Sequence, residues 1–429
     1  MTPNAGKRMT LVAQRLPFRL AVAAAFVLAH FGVVMSFAFN RYGLPFNLNP
    51  QHPPAFIEPT EPAANHWDRL AVSRWDSAHY ISLVLRGYSQ CPKQDEPRLP
   101  AVGQCNLNFY PGYPALGWIA SSVTHLPADY ALLALSIVAS FALLFLWTDR
   151  VMVERLGVAT TYASLLAFNA FPTAFALVTL QTEPCALAFT LGAFLAFARR
   201  RLWLAALLAG AASGMRVSGA ATSVALGLAI LWQLYIDSPK SWSRWISPLL
   251  ASVASAWGLI FIMGYHYWRY RDPLLYVHAH AQTYAHSASL SALFNPDTRW
   301  LLRSVDHPLH EGVVLTFSLM WFLLGRKQAM AGFTAPERVF WYALSAIGVF
   351  ISVLGTIDLG LTGMNRYLLL IFPVFFAIGG FLRRRPLVFA IWLVVSFWHY
   401  RNVDLCDYLG GVGDGRFPRC YVNQWVGHW

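Results

Sequence analysis

The sequence predicts an all-α polytopic membrane protein, and three observations carry that reading. Of 429 residues, 57% are hydrophobic and only 12% are Asp, Glu, Lys or Arg, about half the charged fraction of an ordinary soluble domain. The mean hydropathy of +0.45 points the same way and excludes a water-soluble enzyme. The net charge of +12 falls in short clusters between apolar runs, which is the pattern of membrane loops rather than of a nucleic-acid surface. With 17 Trp, 18 Tyr and 30 Phe, a solvated disordered coil is excluded as well.

Taken in order, Lys7, Arg8, Arg15 and Arg19 precede an apolar run over 20–39, long enough to cross a bilayer at about 20 residues per helix. No small-residue cleavage site follows, so the run reads as a first transmembrane helix with its basic end in the cytoplasm. A short apolar run at 111–124 comes next. Others lie near 130–148, 158–180, 184–198, 202–215, 217–236, 246–264, 312–325, 339–357, 367–382 and 387–400. That gives roughly 10–12 membrane segments, several too short to cross alone. Arg199-Arg200-Arg201, Lys240 with Arg244, Arg326-Lys327 and Arg383-Arg384-Arg385 abut these runs and mark cytoplasmic turns. One ambiguity stands. Counting forward through 111–124 puts 150–155 outside, whereas counting back from Arg199 puts it inside; a broken or re-entrant helix, with Pro172 as the break, reconciles the two.

The chain, 1–429, reads as a single integral membrane domain. Two polar stretches, 40–110 and 265–311, fall on the external side, and their mixture of aromatic, Pro and charged residues suits short interfacial helices. No fixed-period repeat is visible. Cys91 with Cys105, and Cys406 with Cys420, lie on the same external side, where local disulfides fit an oxidising compartment. Cys185, inside an apolar run, reads as a buried inert thiol.

The densest chemical signal is Trp75-Asp76-Ser77-Ala78-His79-Tyr80, followed by Arg86-Gly87-Tyr88. Read as a helix from Asp76, it places Asp76, His79 and Tyr80 on one face, with Ile81, Val84 and Leu85 toward lipid or core. A carboxylate there suits a general base on an acceptor hydroxyl; the plainer reading, favoured by composition alone, is a capping Asp with aromatic headgroup anchors. Phe109-Tyr110-Pro111-Gly112-Tyr113-Pro114 enters the next apolar run, a common interfacial feature. Glu183, in Gln181-Thr182-Glu183-Pro184, either faces a partner or a water-filled cavity, or sits exposed in a loop before Pro184 starts a helix. Arg216, in Gly214-Met215-Arg216-Val217-Ser218-Gly219, marks an anion site or a buried ion pair unless it snorkels to headgroups. Asn365-Arg366-Tyr367 offers a similar guanidinium, and either arginine suits a lipid-linked phosphate, whose oxygens match the guanidinium fork. His278, His280 and His286 lack the Cys or close carboxylate that would complete a tetrahedral metal set, so they read as interfacial polar surface. No Walker or Rossmann glycine pattern is present.

The order of these motifs, with Phe171-Pro172-Thr173, Asp272-Pro273-Leu274 and Phe372-Pro373, resembles the PIG-V-like mannosyltransferases, membrane glycosyltransferases of the GT-C class related to the GPI α-1,6-mannosyltransferase. The resemblance spans residues 67 to 375. It implies a GT-C glycosyltransferase that takes a sugar, mannose by family, from a polyprenyl-phosphate donor and passes it to a lipid or glycan acceptor on the outer face, with inversion. By this resemblance Asp76 is the base and Glu183 matches a second family acid; the helical face adds His79 to this catalytic group, and Arg366, preferred for its external position, and Arg216 are the candidate partners of the donor phosphate. Trp75, Tyr80, Tyr110 and Tyr113 are the acceptor- or sugar-binding aromatics. Gln181 and Thr182 depart from the family's tyrosine–serine–glutamate motif, and Gly112 replaces a bulkier residue. The scheme needs no metal or nucleotide cofactor, because the donor brings a phosphate leaving group, and the partners it implies are membrane lipids, not nucleic acid. The competing expectations are a lipid or sugar transporter, which uses buried ions to gate a path, and a non-catalytic scaffold.

Overall fold

The computed structural model describes residues 15–42, 72–73, 76–88, 106–238, 241–283, 327, 329–356 and 364–399. Among these, 82% are helical and no strand occurs. In hydrocarbon every backbone amide must be satisfied within the protein, and helices do this locally. Four helices are long and apolar enough to cross a membrane: α1 (Leu16–Tyr42), α4 (Ala128–Trp147), α9 (Ala220–Asp237) and α13 (Ala335–Thr356). Two bent pairs raise the number to as many as six. These are α5 (Arg150–Leu156) with α6 (Val158–Asn169), bent by 106°, and α10 (Ser243–Ala254) with α11 (Trp257–Tyr270), bent by 55°.

The expected 10–12 segments therefore resolve differently. Helices α7 (Glu183–Ala198), α8 (Leu202–Met215), α15 (Phe372–Leu382) and α16 (Pro386–His399) are apolar but have 16, 14, 11 and 14 residues. At 1.5 Å per residue none spans the roughly 30 Å hydrocarbon core. The run predicted at 312–325 and both cysteine pairs lie outside the described residues. Short helices α2 (Ser77–Arg86), α3 (Gly112–Thr124), α12 (Leu275–Thr283) and α14 (Met364–Leu368) complete the set.

The run expected over 158–180 is one broken element. Helix α6 stops at Asn169, Phe171-Pro172-Thr173 turns, and a 3-10 turn over Ala174–Val178 leads on toward Glu183. Proline removes a donor and cannot continue a helix. The carbonyls released by the break are satisfied from neighbouring elements: Ser140 Oγ donates to the Leu177 carbonyl, and Ser77 Oγ to that of Leu180 at 2.9 Å. The Leu180 amide in turn donates to the Val72 carbonyl at 2.9 Å. Lower down, the side chain of Asn169 meets His30 of α1 at 3.0 Å. At the other bend Gly157, at φ +78°, supplies a conformation that L side chains rarely adopt.

The ambiguity over 150–155 is settled by contacts. Asp149 caps α5 through the Val151 amide, 2.9 Å, and pairs with Arg199 at the end of α7, 2.5 Å, and with Arg19 at the start of α1, 3.7 Å. The beginning of α1, the end of α4 and the end of α7 therefore meet at one end of the bundle. Helix α3 does not cross beside α4. Its Tyr113 hydroxyl donates to the Leu132 carbonyl at 2.9 Å and meets Ser136 Oγ at 2.7 Å, both in the first half of α4. The core between these elements is aromatic, with Trp147, Phe168, Trp341, Phe372 and Phe376 in edge and tilted contact.

Candidate functional site

At the opposite end of the bundle four charged side chains from four distant stretches converge. Asp76 occupies the position just before α2, but its side chain caps nothing. The plain capping role read from composition is thus excluded, and the helical face begins at Ser77 rather than at Asp76. Arg366 of α14 instead holds this carboxylate, with Nη1 at 3.3 Å and Nη2 at 3.2 Å from Oδ2. The same Nη1 donates to Gln181 Oε1 at 2.9 Å and lies 3.8 Å from Glu183 Oε1.

Glu183 is the first residue of α7, with Pro184 behind it pre-setting the helical φ. Its side chain is only 2% exposed and reaches Arg216 Nη1 at 2.8 Å. The first of the two open readings therefore holds: Glu183 is buried against partners, and it is not exposed in a loop but is itself the first residue of the helix. Arg216, where α8 ends, does not snorkel; it is 13% exposed and its guanidinium lies 4.6 Å above the Tyr367 ring. Because α7 and α8 are short, Glu183 and Arg216 end helices within the bundle. Burying such ions is tolerable only when each faces an opposite charge. Two carboxylates and two guanidiniums balance here. Glu183 Oε2 nevertheless accepts no hydrogen bond among the described residues.

An aromatic wall flanks the cluster. His79 stacks on Phe109 at 4.2 Å, and Tyr80 sits edge-on to Phe109 and Tyr113 at 5.5 and 5.4 Å. Burial lowers the His79 pKa, against the opposing pull of Asp76, and raises that of the Tyr80 phenol, with Asp76 and Glu183 adding to the rise. Tyr110 is buried and meets Tyr276 of α12 edge-on at 4.8 Å, its phenol also raised by burial. A small groove between α1 and α4, lined by Phe31, Met35, Leu133 and Ser73, opens shortly before Asp76 in the chain.

Of the residues predicted from sequence, the structure brings together Asp76, Glu183, Arg216 and Arg366, with His79 and Tyr80 alongside. No hydrogen bond joins Glu183 to His79 among the described residues. Tyr113 is fully buried, its hydroxyl taken up by α4, so it packs the wall from behind. Trp75 lies outside the described residues. Away from the cluster, His278 Nδ1 is 2.6 Å from Asp272 Oδ2 while Leu274 N donates to Oδ1 at 2.9 Å. A close carboxylate does exist there, and it starts α12. Among the described residues no group of three or more His, Cys, Asp or Glu could hold a metal. Sequence reading missed Gln181 and Tyr367 as members of the site; the signal was their place next to Glu183 and Arg366, in Gln181-Thr182-Glu183 and Arg366-Tyr367.

The described fold and site define an all-α, multi-pass membrane protein with a charge-balanced ion cluster buried at one end. No family model, curated protein or solved structure matches the chain.

Proposed function

We propose that the protein is a membrane glycosyltransferase of the GT-C class, similar to the PIG-V-like mannosyltransferases, that moves a sugar from a polyprenyl-phosphate donor to a lipid or glycan hydroxyl. The observation that carries this reading is the meeting of Asp76 with Arg366 beside the Glu183–Arg216 pair. It supplies a carboxylate for a hydroxyl proton and cations for a leaving phosphate in one desolvated place. The rule that Lys and Arg stay inside puts the end holding Arg19, Arg199 and Arg383-Arg384-Arg385 in the cytoplasm, and the ion cluster on the external face.

In this scheme Asp76 takes the acceptor proton as the hydroxyl oxygen attacks the anomeric carbon. The bond from that carbon to the phosphate oxygen breaks, its electron pair leaving with the phosphate, and the configuration inverts. Arg366 and Arg216 oppose the charge gathering on the departing phosphate, in surroundings where water does not screen it. In-line displacement sets the attacking and leaving oxygens on opposite sides of the sugar. Arg366 must therefore release Asp76 when the donor phosphate arrives.

The two bent helix pairs, together with buried ions, favour a second reading as a lipid or sugar transporter. One experiment separates them. Purified protein in vesicles is supplied with radiolabelled polyprenyl-phosphate mannose and a lipid extract. A new labelled product supports transfer, whereas unaltered label that has only changed sides rejects it.

A further inference from the structure

We infer that Gln181 is a positioning residue that holds Arg366 ready for an anion without neutralising it, an inference that rests on the phosphate-donor reading above. Arg366 Nη1 faces the Gln181 amide oxygen at 2.9 Å, Asp76 Oδ2 at 3.3 Å and Glu183 Oε1 at 3.8 Å. The nearest of these is the uncharged one. Gln181 is itself fixed from several sides. It is 1% exposed, its amide nitrogen donates to Ser77 Oγ at 3.5 Å, and its backbone carbonyl accepts from Ser136 Oγ at 3.4 Å. Ser77 is anchored in turn on the Leu180 carbonyl. The amide oxygen is thus a fixed point, set by the contacts that tie Val72 and Ser77 to Leu180 and Gln181.

Charge explains why an amide rather than a carboxylate serves here. Asp76 and Glu183 already balance Arg366 and Arg216. A third carboxylate at 181 would leave the cluster negative, and an arriving phosphate would have to displace Arg366 from a second full charge in addition to Asp76. In a desolvated site that competition is far stronger than against a neutral oxygen. An amide orients the guanidinium without adding to the charge that Asp76 already sets against it. This gives a physical role to the residue by which the chain departs from the motif of the family it resembles.

The test compares wild type with Gln181→Glu and Gln181→Met, purified in detergent, with thermal unfolding as the folding control. Affinity for a long-chain polyprenyl phosphate is titrated, and donor KM and kcat are measured with polyprenyl-phosphate mannose. The expected result is that Q181E weakens polyprenyl-phosphate binding and raises donor KM by about tenfold, the effect of one added charge interaction, with a smaller change in kcat. Q181M is expected to raise KM less, through loss of orientation alone. Wild-type affinity in folded Q181E, or equal losses in Q181E and Q181M, would overturn the inference. Should Q181E fail to fold, an unchanged KM in Q181M overturns it just as well. If wild type binds polyprenyl phosphate but transfers no sugar, the proposed function falls, and weaker binding by Q181E still sustains the role of Gln181. If wild type binds no polyprenyl phosphate, both fall.

Discussion

Both terminal nitrogens of Arg366 converge on a single oxygen of Asp76, at 3.3 and 3.2 Å, across 290 residues of sequence. The Asp76 side chain is nonetheless 28% exposed, against 10% for Arg366, so the carboxylate keeps an accessible face while the arginine is the more buried partner. Asp76→Asn retains the shape and can still accept from Arg366, but it cannot take a proton from a hydroxyl. Transfer is expected to fall about 10²–10⁴-fold, the range for losing a positioned base, with folding kept and polyprenyl-phosphate affinity unchanged or tighter as Arg366 is freed. Radiolabelled transfer measured beside lipid-phosphate binding checks this, and undiminished turnover would reject Asp76 as the base.

Glu183 and Arg216 form the more deeply buried pair, and removing one partner strands the other. Glu183→Ala is expected to destabilise the protein by about 3–5 kcal/mol, as for a broken buried ion pair. Arg216→Met alone should cost a similar amount. Replacing both with apolar residues (Glu183→Leu with Arg216→Met) should recover much of that stability, because no lone charge remains, while transfer stays abolished. A double-mutant cycle by thermal unfolding in detergent measures the coupling. Additive losses would show that the 2.8 Å contact contributes nothing to stability.

His79 gives a pH dependence with a fixed sign. Burial against Phe109 lowers its pKa from the ordinary 6.5, so just below 6.5 the unfolded chain binds more protons there than the folded one. The slope of unfolding free energy against pH is then positive. The contribution is whole above 6.5 and is lost as pH falls from 6.5 toward the lowered folded value. His79→Phe retains the stack and removes the titration. Thermal unfolding of the two proteins between neutral and mildly acidic pH should show wild type losing stability faster than H79F on acidification. Parallel curves would mean that His79 does not titrate differently on folding.

Much of the fold was legible in the sequence, because the long apolar runs of α1, α4, α9 and α13 report burial directly. The basic clusters put Arg19 and Arg199 on one side, and the two do meet at one end of the bundle, yet only the contacts of Asp149 placed 150–155 beside them. A charge count along the chain cannot tell a full crossing from a hairpin such as α3 against α4. In the site, Glu183 and Arg216 stood out because ions amid apolar runs are costly, Asp76 as part of the dense run from Trp75 to Tyr80, and Arg366 as a guanidinium at a helix entry. Their pairing did not, since i to i+4 spacing informs only within one helix and these partners are 290 and 33 residues apart. Gln181 escaped notice for a related reason: an amide carries no charge to make it conspicuous, and its value lies in where the contacts with Val72 and Ser77 hold it. Tyr113 was over-read, because an aromatic–proline entry looks the same whether its ring faces a ligand or a neighbouring helix.

Position 112 is a glycine for a reason that the packing supplies. The start of α3 crosses the end of α8 so closely that a Cβ on residue 112 would run into the carbonyl of Gly214, a backbone group that cannot swing aside. Small residues at such a crossing let two helices approach to backbone contact. Two residues beyond Gly214 stands Arg216, and next to Gly112 stands Tyr113, which packs against Tyr80. Spreading this crossing would therefore shift the guanidinium and the aromatic wall together. Gly112→Ala is expected to destabilise by about 1–3 kcal/mol through overpacking and to lower transfer by more than the loss of folded protein explains. Thermal unfolding and transfer per folded molecule check the two effects separately. Wild-type stability in G112A would show that the crossing has slack and that a larger residue fits here too.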